Sequence, residues 1–205
     1  MKRSKKLNHK KVIIEFNKRA VEKTGIIRVL SDRFAHQVNE EFDKKCKFLI
    51  RKHFKNKINK VIDVGTGIGR ITSQFVKKAD NIIAIDFAEK MLFVANKQLA
   101  NKKNVHFLYE DAVNLLFPTN YFDLGILSLV LKHNNDKRTV VMINKVKKWC
   151  KQVLLIEHVA GGSAGSEIAI TRSASWYLRQ FKPMKPVVIY EMKRYKDNII
   201  FCILQ

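Results

Sequence analysis

Val61-Ile-Asp-Val-Gly-Thr-Gly-Ile-Gly-Arg70 is the stretch that decides the fold: four residues that read as a buried strand run into a glycine-rich turn and then a helix start. A strand ending in Gly65-x-Gly67-x-Gly69 lets backbone N–H groups and the positive end of the next helix approach a ligand closely, because glycine has no Cβ to block it. Asp63, two residues before the first glycine, sits at the strand's carboxyl end. The same place therefore offers a carboxylate, which suits a ligand with an ammonium group. The dinucleotide fingerprint Gly-x-Gly-x-x-Gly needs its third glycine at position 70, where this chain has Arg70, and this argues against a dinucleotide.

Outward from the motif the pattern repeats. Asn81-Ile-Ile-Ala-Ile-Asp86 is a second apolar strand closing on an acid, 17 residues past Gly69. Val105-His-Phe-Leu-Tyr-Glu-Asp111 is a third, and Tyr121-Phe-Asp-Leu-Gly-Ile-Leu-Ser-Leu-Val-Leu-Lys-His133 gives a fourth strand with the segment that follows it. In this order, over residues 61 to about 158, these segments resemble the class I S-adenosylmethionine-dependent methyltransferases. The resemblance implies that Asp63, Gly65, Thr66, Gly67 and Gly69 receive S-adenosylmethionine, whose product is S-adenosylhomocysteine. It further implies that Asp86, with Phe87 beside it, accepts hydrogen bonds from both ribose hydroxyls. Asp111, with Ala112, would meet the adenine amino group, and Ser128 completes the cofactor set.

Strands are expected near 60–64, 81–86, 104–109, 122–130 and 152–158, with helices near 68–78, 88–100, 111–116 and 135–149. Such alternation implies right-handed βαβ crossovers and a parallel sheet covered on both faces. The strands are nearly continuous apolar runs, as doubly covered strands should be. Gly161 to Gly165 opens a loop, a helix near 166–181 follows, and two last strands, from Pro186 and from Asn198, are joined by the short polar link Lys193 to Asp197. That link predicts a hairpin. The expected fold is α/β and Rossmann-like: a seven-stranded, mostly parallel sheet with the last strand antiparallel, plus an amino-terminal helical cap.

Two helices are predicted in that cap, Val12 to Lys23 and a longer one from Ser31. Phe34, Val38, Phe42, Cys46, Leu49 and Phe54 make one apolar face of the second. Residues 1–57 thus read as a basic helical cap over the cofactor cleft, with about the first 11 mobile, and residues 58–205 as the cofactor-binding domain. At 205 residues the chain suits one α/β core and is short for two.

No apolar run approaches the roughly 20 residues of a membrane span. Val12-Ile-Ile14 is too short for a signal-peptide core, so nothing directs export. Cys46, Cys150 and Cys202 lack any Cys-x-x-Cys spacing, and an odd count fits core thiols in a reducing cytoplasm. No His/Cys/Asp cluster has metal-ligand spacing. Net charge is +22, and residues 1–60 hold 19 Lys or Arg against 6 Asp or Glu, which is +13. A basic face of that size would attract phosphates or an acidic partner. The same excess also follows from a composition rich in Lys, Asn and Ile, and no RNA-binding module is visible.

Methyl transfer from a sulfonium is an in-line displacement in which the cofactor carries the hard chemistry. The protein aligns the nucleophile and, for a hydroxyl or protonated amine, removes a proton. His133, just past the fourth strand, is the first base candidate; the other reading is a helix-start residue beside Asn134 and Asn135. His158 ends the fifth strand next to Glu157, and because neighbouring strand residues face opposite ways, one of the two at most reaches a substrate. His36, on the cap, is a third candidate base or a surface histidine. Arg172 and Trp176, four apart on the expected last helix, share a face and could hold an acidic or planar substrate, or pack and face solvent. The leading expectation is a methyltransferase for an O or N of a small molecule, natural product or peptide. An RNA methyltransferase is the alternative, and a non-catalytic cofactor-binding partner subunit the third. Oligomeric state is left open by the sequence.

Overall fold

The computed structural model describes residues 8–22, 35–159, 168–194 and 197–205, with side chains in the second helix described from Glu40 onward. Two helices, α1 (His9–Glu22) and α2 (Ala35–His53), precede the sheet. The strands are β1 (Ile58–Val64), β2 (Ala79–Asp86), β3 (Val105–Tyr109), β4 (Phe122–Ser128), β5 (Cys150–Val159), β6 (Pro186–Arg194) and β7 (Asp197–Leu204). Between them lie α3 (Thr72–Phe75), α4 (Glu89–Leu99), α5 (Asp136–Trp149) and α6 (Ala174–Phe181). The strand order is β3-β2-β1-β4-β5-β7-β6. All pairs are parallel except those of β7, which runs antiparallel to β5 and β6. The expected seven-stranded sheet with its last strand reversed is thus the observed one.

Alternating strand residues divide the core in two. Val61, Leu124, Ile126, Leu154, Ile156 and Phe201 meet Phe42, Cys46, Leu49 and Ile50 of α2 and Phe54 just past its end. Ile62, Val64, Leu127, Val153, Leu155 and Cys202 meet Met142, Ile143, Val146 and Trp149 of α5 and Tyr177 and Phe181 of α6. Each fully buried side chain of this size contributes roughly 1.5–3 kcal/mol. Four of them, with Phe54 just past the helix end, fix α2 to the sheet as a structural layer. By contrast α1 buries only Val12 and Ala20, and the contacts around it form a small cluster with Ile68, Ala88 and Met91, against which Phe16 and Phe87 pack. Capping of the cleft, which was expected of the whole helical segment, therefore falls to α1.

Several boundaries differ from the sequence expectation, each for a local reason. The helix expected over 68–78 is reduced to Thr72–Phe75, because Gly65, Gly67 and Gly69 all lie at positive φ and hold the chain in a turn. The helix expected over 111–116 is absent: the Asp111 side chain accepts from Val113 N–H at 3.1 Å and makes a local turn instead. β4 stops at Ser128, two residues early, since Leu129 is left-handed at φ 55. The helix expected from 166 begins at Ala174, where the Ser173 hydroxyl caps it by accepting from Trp176 N–H, and Arg172 forms a bridge with Val159. Gly161 to Gly165 lie outside the described residues. α1 begins at His9 rather than Val12, so residues 9–11, expected to be mobile, are helical. Cys46, Cys150 and Cys202 are free and buried, and burial pushes the Cys46 and Cys202 thiols up to about 12. No helix among the described residues is long and apolar enough to cross a membrane.

Candidate active site

The switch in strand order between β1 and β4 opens a crevice at their carboxyl ends, the place where open α/β sheets take ligands. There the glycine turn leaves β1. Gly65 and Thr66 N–H both donate to the Ile85 carbonyl, at 2.8 and 2.9 Å, which ties the turn to β2. Asp86 ties it further: one carboxylate oxygen accepts from Gly67 N–H at 2.7 Å and the other from Ala88 N–H at 2.8 Å. Asp63 is buried beneath the turn, with one oxygen accepting from the Thr72 hydroxyl at 2.5 Å. Its other oxygen, Oδ1, is buried without a hydrogen-bond partner. Burial pushes both carboxyls up to about 6, against the lowering effect of their hydrogen bonds.

The cleft over these groups has a volume of about 870 Å³, including its opening to solvent. Asp63, Gly65, Thr66, Gly67, Asp86, Phe87, Ser128 and His133, all singled out from the sequence, line it together. Asp111 and Ala112 line a narrow extension that shares Gly65, Asp86 and Phe87 with the main cleft. Gly69 does not line it; its Cα faces Ala95 and Leu99 of α4, so this glycine serves helix packing. Asp111 is bonded to Arg138, and His9 of α1 approaches it at 3.5 Å. Burial acts to raise the Asp111 pKa, but these two partners outweigh it and hold the carboxyl well below the usual range. His9 also meets the Phe87 ring edge-on at 4.8 Å, so the roof helix touches two residues of the expected cofactor set.

Past β4 the chain makes a single 3₁₀ turn, Leu131–His133, and two buried polar side chains brace it. One Glu157 oxygen accepts from Leu131 and Lys132 N–H at 2.8 and 3.2 Å, while the other accepts from His158 N–H at 2.9 Å. Arg172 donates to the Leu131 and Asn134 carbonyls at 3.2 and 2.6 Å and to Asp136 at 2.8 Å. The turn presents Lys132 and His133 to the cleft. His133 Nδ1 lies 2.8 Å from the Ile168 carbonyl. A carbonyl can only accept, so Nδ1 carries the proton and Nε2 the lone pair. Burial, then the charges of Lys132 and Arg19, push the His133 pKa down to about 3, and Phe16 of α1 packs edge-on against the ring at 4.9 Å.

Other sequence candidates take different places. His158 is buried and does not line the cleft. Glu157, which the sequence offered as its partner, is committed to backbone N–H groups. Arg172 precedes α6 rather than riding on it, and stacks over the Trp176 ring at 4.9 Å with its donors turned to the 131–136 segment. Neither Arg172 nor Trp176 lines the cleft, so the pair is architectural: Trp176 packs against the α5/α6 core. His36 falls in α2, with its side chain outside those described. Conversely, the sequence passed over Phe16, Arg70 and Lys132 as lining residues. Arg70 alone had a visible signal, as the residue that replaces the third glycine of the dinucleotide fingerprint. It stacks over Phe42 at 4.9 Å and lies 3.3 Å from Asp43. Among the described residues no group of three or more His, Cys, Asp or Glu stands together as a metal site.

These residues fit an amino-acid nucleoside. The unpartnered Asp63 oxygen matches an ammonium, Arg70 a carboxylate, and Asp86 a pair of hydroxyls. Residues 61–152 match the family model described as "Methyltransferase domain". Phosphoethanolamine N-methyltransferase 3 of Arabidopsis thaliana is 32% identical over 93 residues, which is 44% of this chain and 19% of that protein. The ubiquinone/menaquinone biosynthesis C-methyltransferase of Stutzerimonas stutzeri is 32% identical over 106 residues, 48% of this chain and 41% of that one. The chain thus spans well under half the length of either relative. A SAM-dependent methyltransferase of Leishmania major superposes with a TM-score of 0.75 at 16% identity, over 95% of this chain and 82% of that one, a likeness of fold. Over residues 61–152 the chain thus matches a methyltransferase domain, and the sheet built on them has the fold seen in S-adenosylmethionine-dependent methyltransferases.

Proposed function

We propose that the protein is an S-adenosylmethionine-dependent methyltransferase acting on an oxygen or nitrogen of a small molecule, natural product or peptide. The observation that carries this reading is the buried, unpartnered Asp63 oxygen at the head of a glycine turn that Asp86 ties down. Bound S-adenosylmethionine supplies an electrophilic methyl group on its sulfonium sulfur. Asp63 and Arg70 would take the two charged ends of its amino-acid part, Asp86 its ribose and the Asp111–Ala112 extension its adenine. Ser128 to His133 face the acceptor. His133 Nε2 would receive the proton of a hydroxyl or protonated amine, whereas a carboxylate acceptor needs no base. The α1 roof over the cleft favours a small acceptor or a peptide end, and the Arabidopsis thaliana relative above is named for a small acceptor methylated at nitrogen.

Calorimetry tests the cofactor. Asp86→Ala is expected to weaken S-adenosylmethionine binding by about 1.5–3 kcal/mol, the scale of lost hydrogen bonds to a charged group; no binding by the wild type, or undiminished affinity in the variant, would overturn the assignment. The pH dependence has a definite sign. An ammonium partner favours the ionised Asp63, so affinity is full above the carboxyl's raised pKa of about 6 and falls as pH drops through it. The fall should reach about tenfold per pH unit. An affinity flat from pH 7 to 5 would remove Asp63 from ammonium binding.

The net charge of +22 favours RNA as a second reading. If RNA is the acceptor, binding should fall steeply with salt and labelled cofactor should mark total RNA. Salt-sensitive binding without labelled product would leave the small-molecule reading in place.

A further inference from the structure

We propose that the His9 side chain is an internal plug at the adenine end of the cofactor site: its imidazole takes the place on Asp111 that belongs to the adenine amino group, and the bound cofactor displaces it. The proposal rests on the methyltransferase reading, which gives the adenine to the Asp111–Ala112 extension. Phe87 lines both that extension and the main cleft. His9, at the start of α1, lies against both Asp111 and Phe87. Its Nε2 is 3.5 Å from Asp111 Oδ2, and its ring meets the Phe87 ring edge-on with centroids 4.8 Å apart. A flat nitrogen ring that donates to Asp111 and packs on Phe87 makes there the contacts of an aminated purine.

Asp111 has little capacity left for another donor. Oδ1 is turned into its own loop, where it accepts from Val113 N–H at 3.1 Å. Oδ2 faces Arg138 and His9 together, and a carboxylate oxygen has about two acceptor positions. A carboxylate can only accept, so the His9 contact is a donation from Nε2–H. Of the three donors, Val113 belongs to the turn itself, and Arg138 is held on α5 with its Nε donating to Asn134 Oδ1 at 2.8 Å. The His9 contact is the longest and comes from a separate helix. An incoming amino group therefore exchanges with His9.

The seated ring is poised to leave. Its Nδ1 is buried without a hydrogen-bond partner, a cost that hydration outside the site removes. The side chain is partly exposed, which gives it a path to water. α1 need not lift with it: Val12 and Ala20 are buried, and Asn17 Oδ1 accepts from Lys90 N–H at 3.0 Å, so a side-chain rotation suffices. The exchange also bears on selectivity. A ligand with an amino group at this point replaces the donation that Asp111 loses, whereas a ligand without one leaves Oδ2 a donor short, so displacing the plug costs it more.

The test is calorimetric titration of the full chain with S-adenosylhomocysteine. His9→Ala is expected to bind it roughly 3- to 10-fold more tightly than the wild type, the worth of one hydrogen bond that no longer has to be exchanged. Alanine is a strong helix former, so the variant keeps α1. A second measurement needs no variant: proton contacts between the His9 and Phe87 rings, present in the NMR spectra of the protein alone, should vanish at saturating S-adenosylhomocysteine. Unchanged or weaker binding by His9→Ala, or His9–Phe87 contacts that survive saturation, would overturn the proposal, the weaker binding by making His9 a cofactor ligand instead. Failure of S-adenosylhomocysteine to bind wild type and variant alike would sink the methyltransferase reading, and this proposal with it.

Discussion

Gly65→Ala is expected to abolish measurable S-adenosylmethionine binding and to destabilise the protein by about 2–6 kcal/mol, the sum of a left-handed non-glycine residue and an overpacked contact. Gly65 lies at φ +76, and a Cβ there would meet Val130 Cγ2 at 2.3 Å and Val130 Cβ at 2.8 Å. Val130 cannot retreat cheaply, because it is buried in the α5-side core and leads directly into the braced turn. The clash would displace either the glycine turn or the acceptor wall. Gly69→Ala makes the matched comparison: φ is +79, but the nearest atoms are Leu99 Cδ1 at 3.2 Å and Ala95 Cβ at 3.3 Å, away from the cleft. That variant should lose about 1–3 kcal/mol of stability and keep most of its cofactor affinity. Thermal unfolding and calorimetry on the two variants check both statements. Equal cofactor affinities in Gly65→Ala and the wild type would show that the cofactor does not use the turn.

His133→Ala is expected to lower turnover about 10²-fold on an acceptor that must lose a proton, while leaving cofactor affinity intact. The lower end of the usual 10²- to 10⁴-fold range applies because burial has weakened the ring as a base. The pH profile separates this role from the others. With its pKa pushed down to about 3, His133 keeps its lone pair throughout the neutral range and contributes no acid limb near 6.5 to the rate at saturating cofactor. The limb near 6 set by Asp63 should appear only in cofactor binding. An acid limb at 6.5 in kcat that vanishes in His133→Ala would mean that the ring is solvated and ionisable during turnover. Unchanged kcat in the variant would leave His133 as a wall residue held by Ile168 and Phe16.

The mostly parallel sheet with its reversed last strand was legible because its signals are local. Asp63, Gly65, Asp86 and Asp111 each follow an apolar run at the point where a parallel strand must end, and such positions converge on one edge whatever the rest of the chain does. The short polar link before Asp197 likewise predicted the reversed last strand, since a tight connection can join only antiparallel neighbours. Helix limits were less legible. Residues 111–116 have a helical composition, yet the Asp111 side chain bonds to its own backbone and makes a turn. Residues 68–71 yield to the turn made by positive-φ glycines at alternate positions 65, 67 and 69.

What the sequence determined by itself was the succession of strands along the chain, the acidic strand ends and the glycine turn, because each depends on apolar periodicity and on what a residue without Cβ permits. Only the tertiary structure decided how polar side chains are spent. Arg172 and Glu157 have the residue types of substrate and base groups, but folding brings both under the 131–134 backbone, whose buried N–H and carbonyl groups must be satisfied. Likewise Phe16 becomes a roof and Lys132 a wall only because α1 crosses the cleft and the 3₁₀ turn faces it. The Phe16–His133 contact joins residues more than a hundred positions apart in the chain, and no local pattern encodes a partner at that distance.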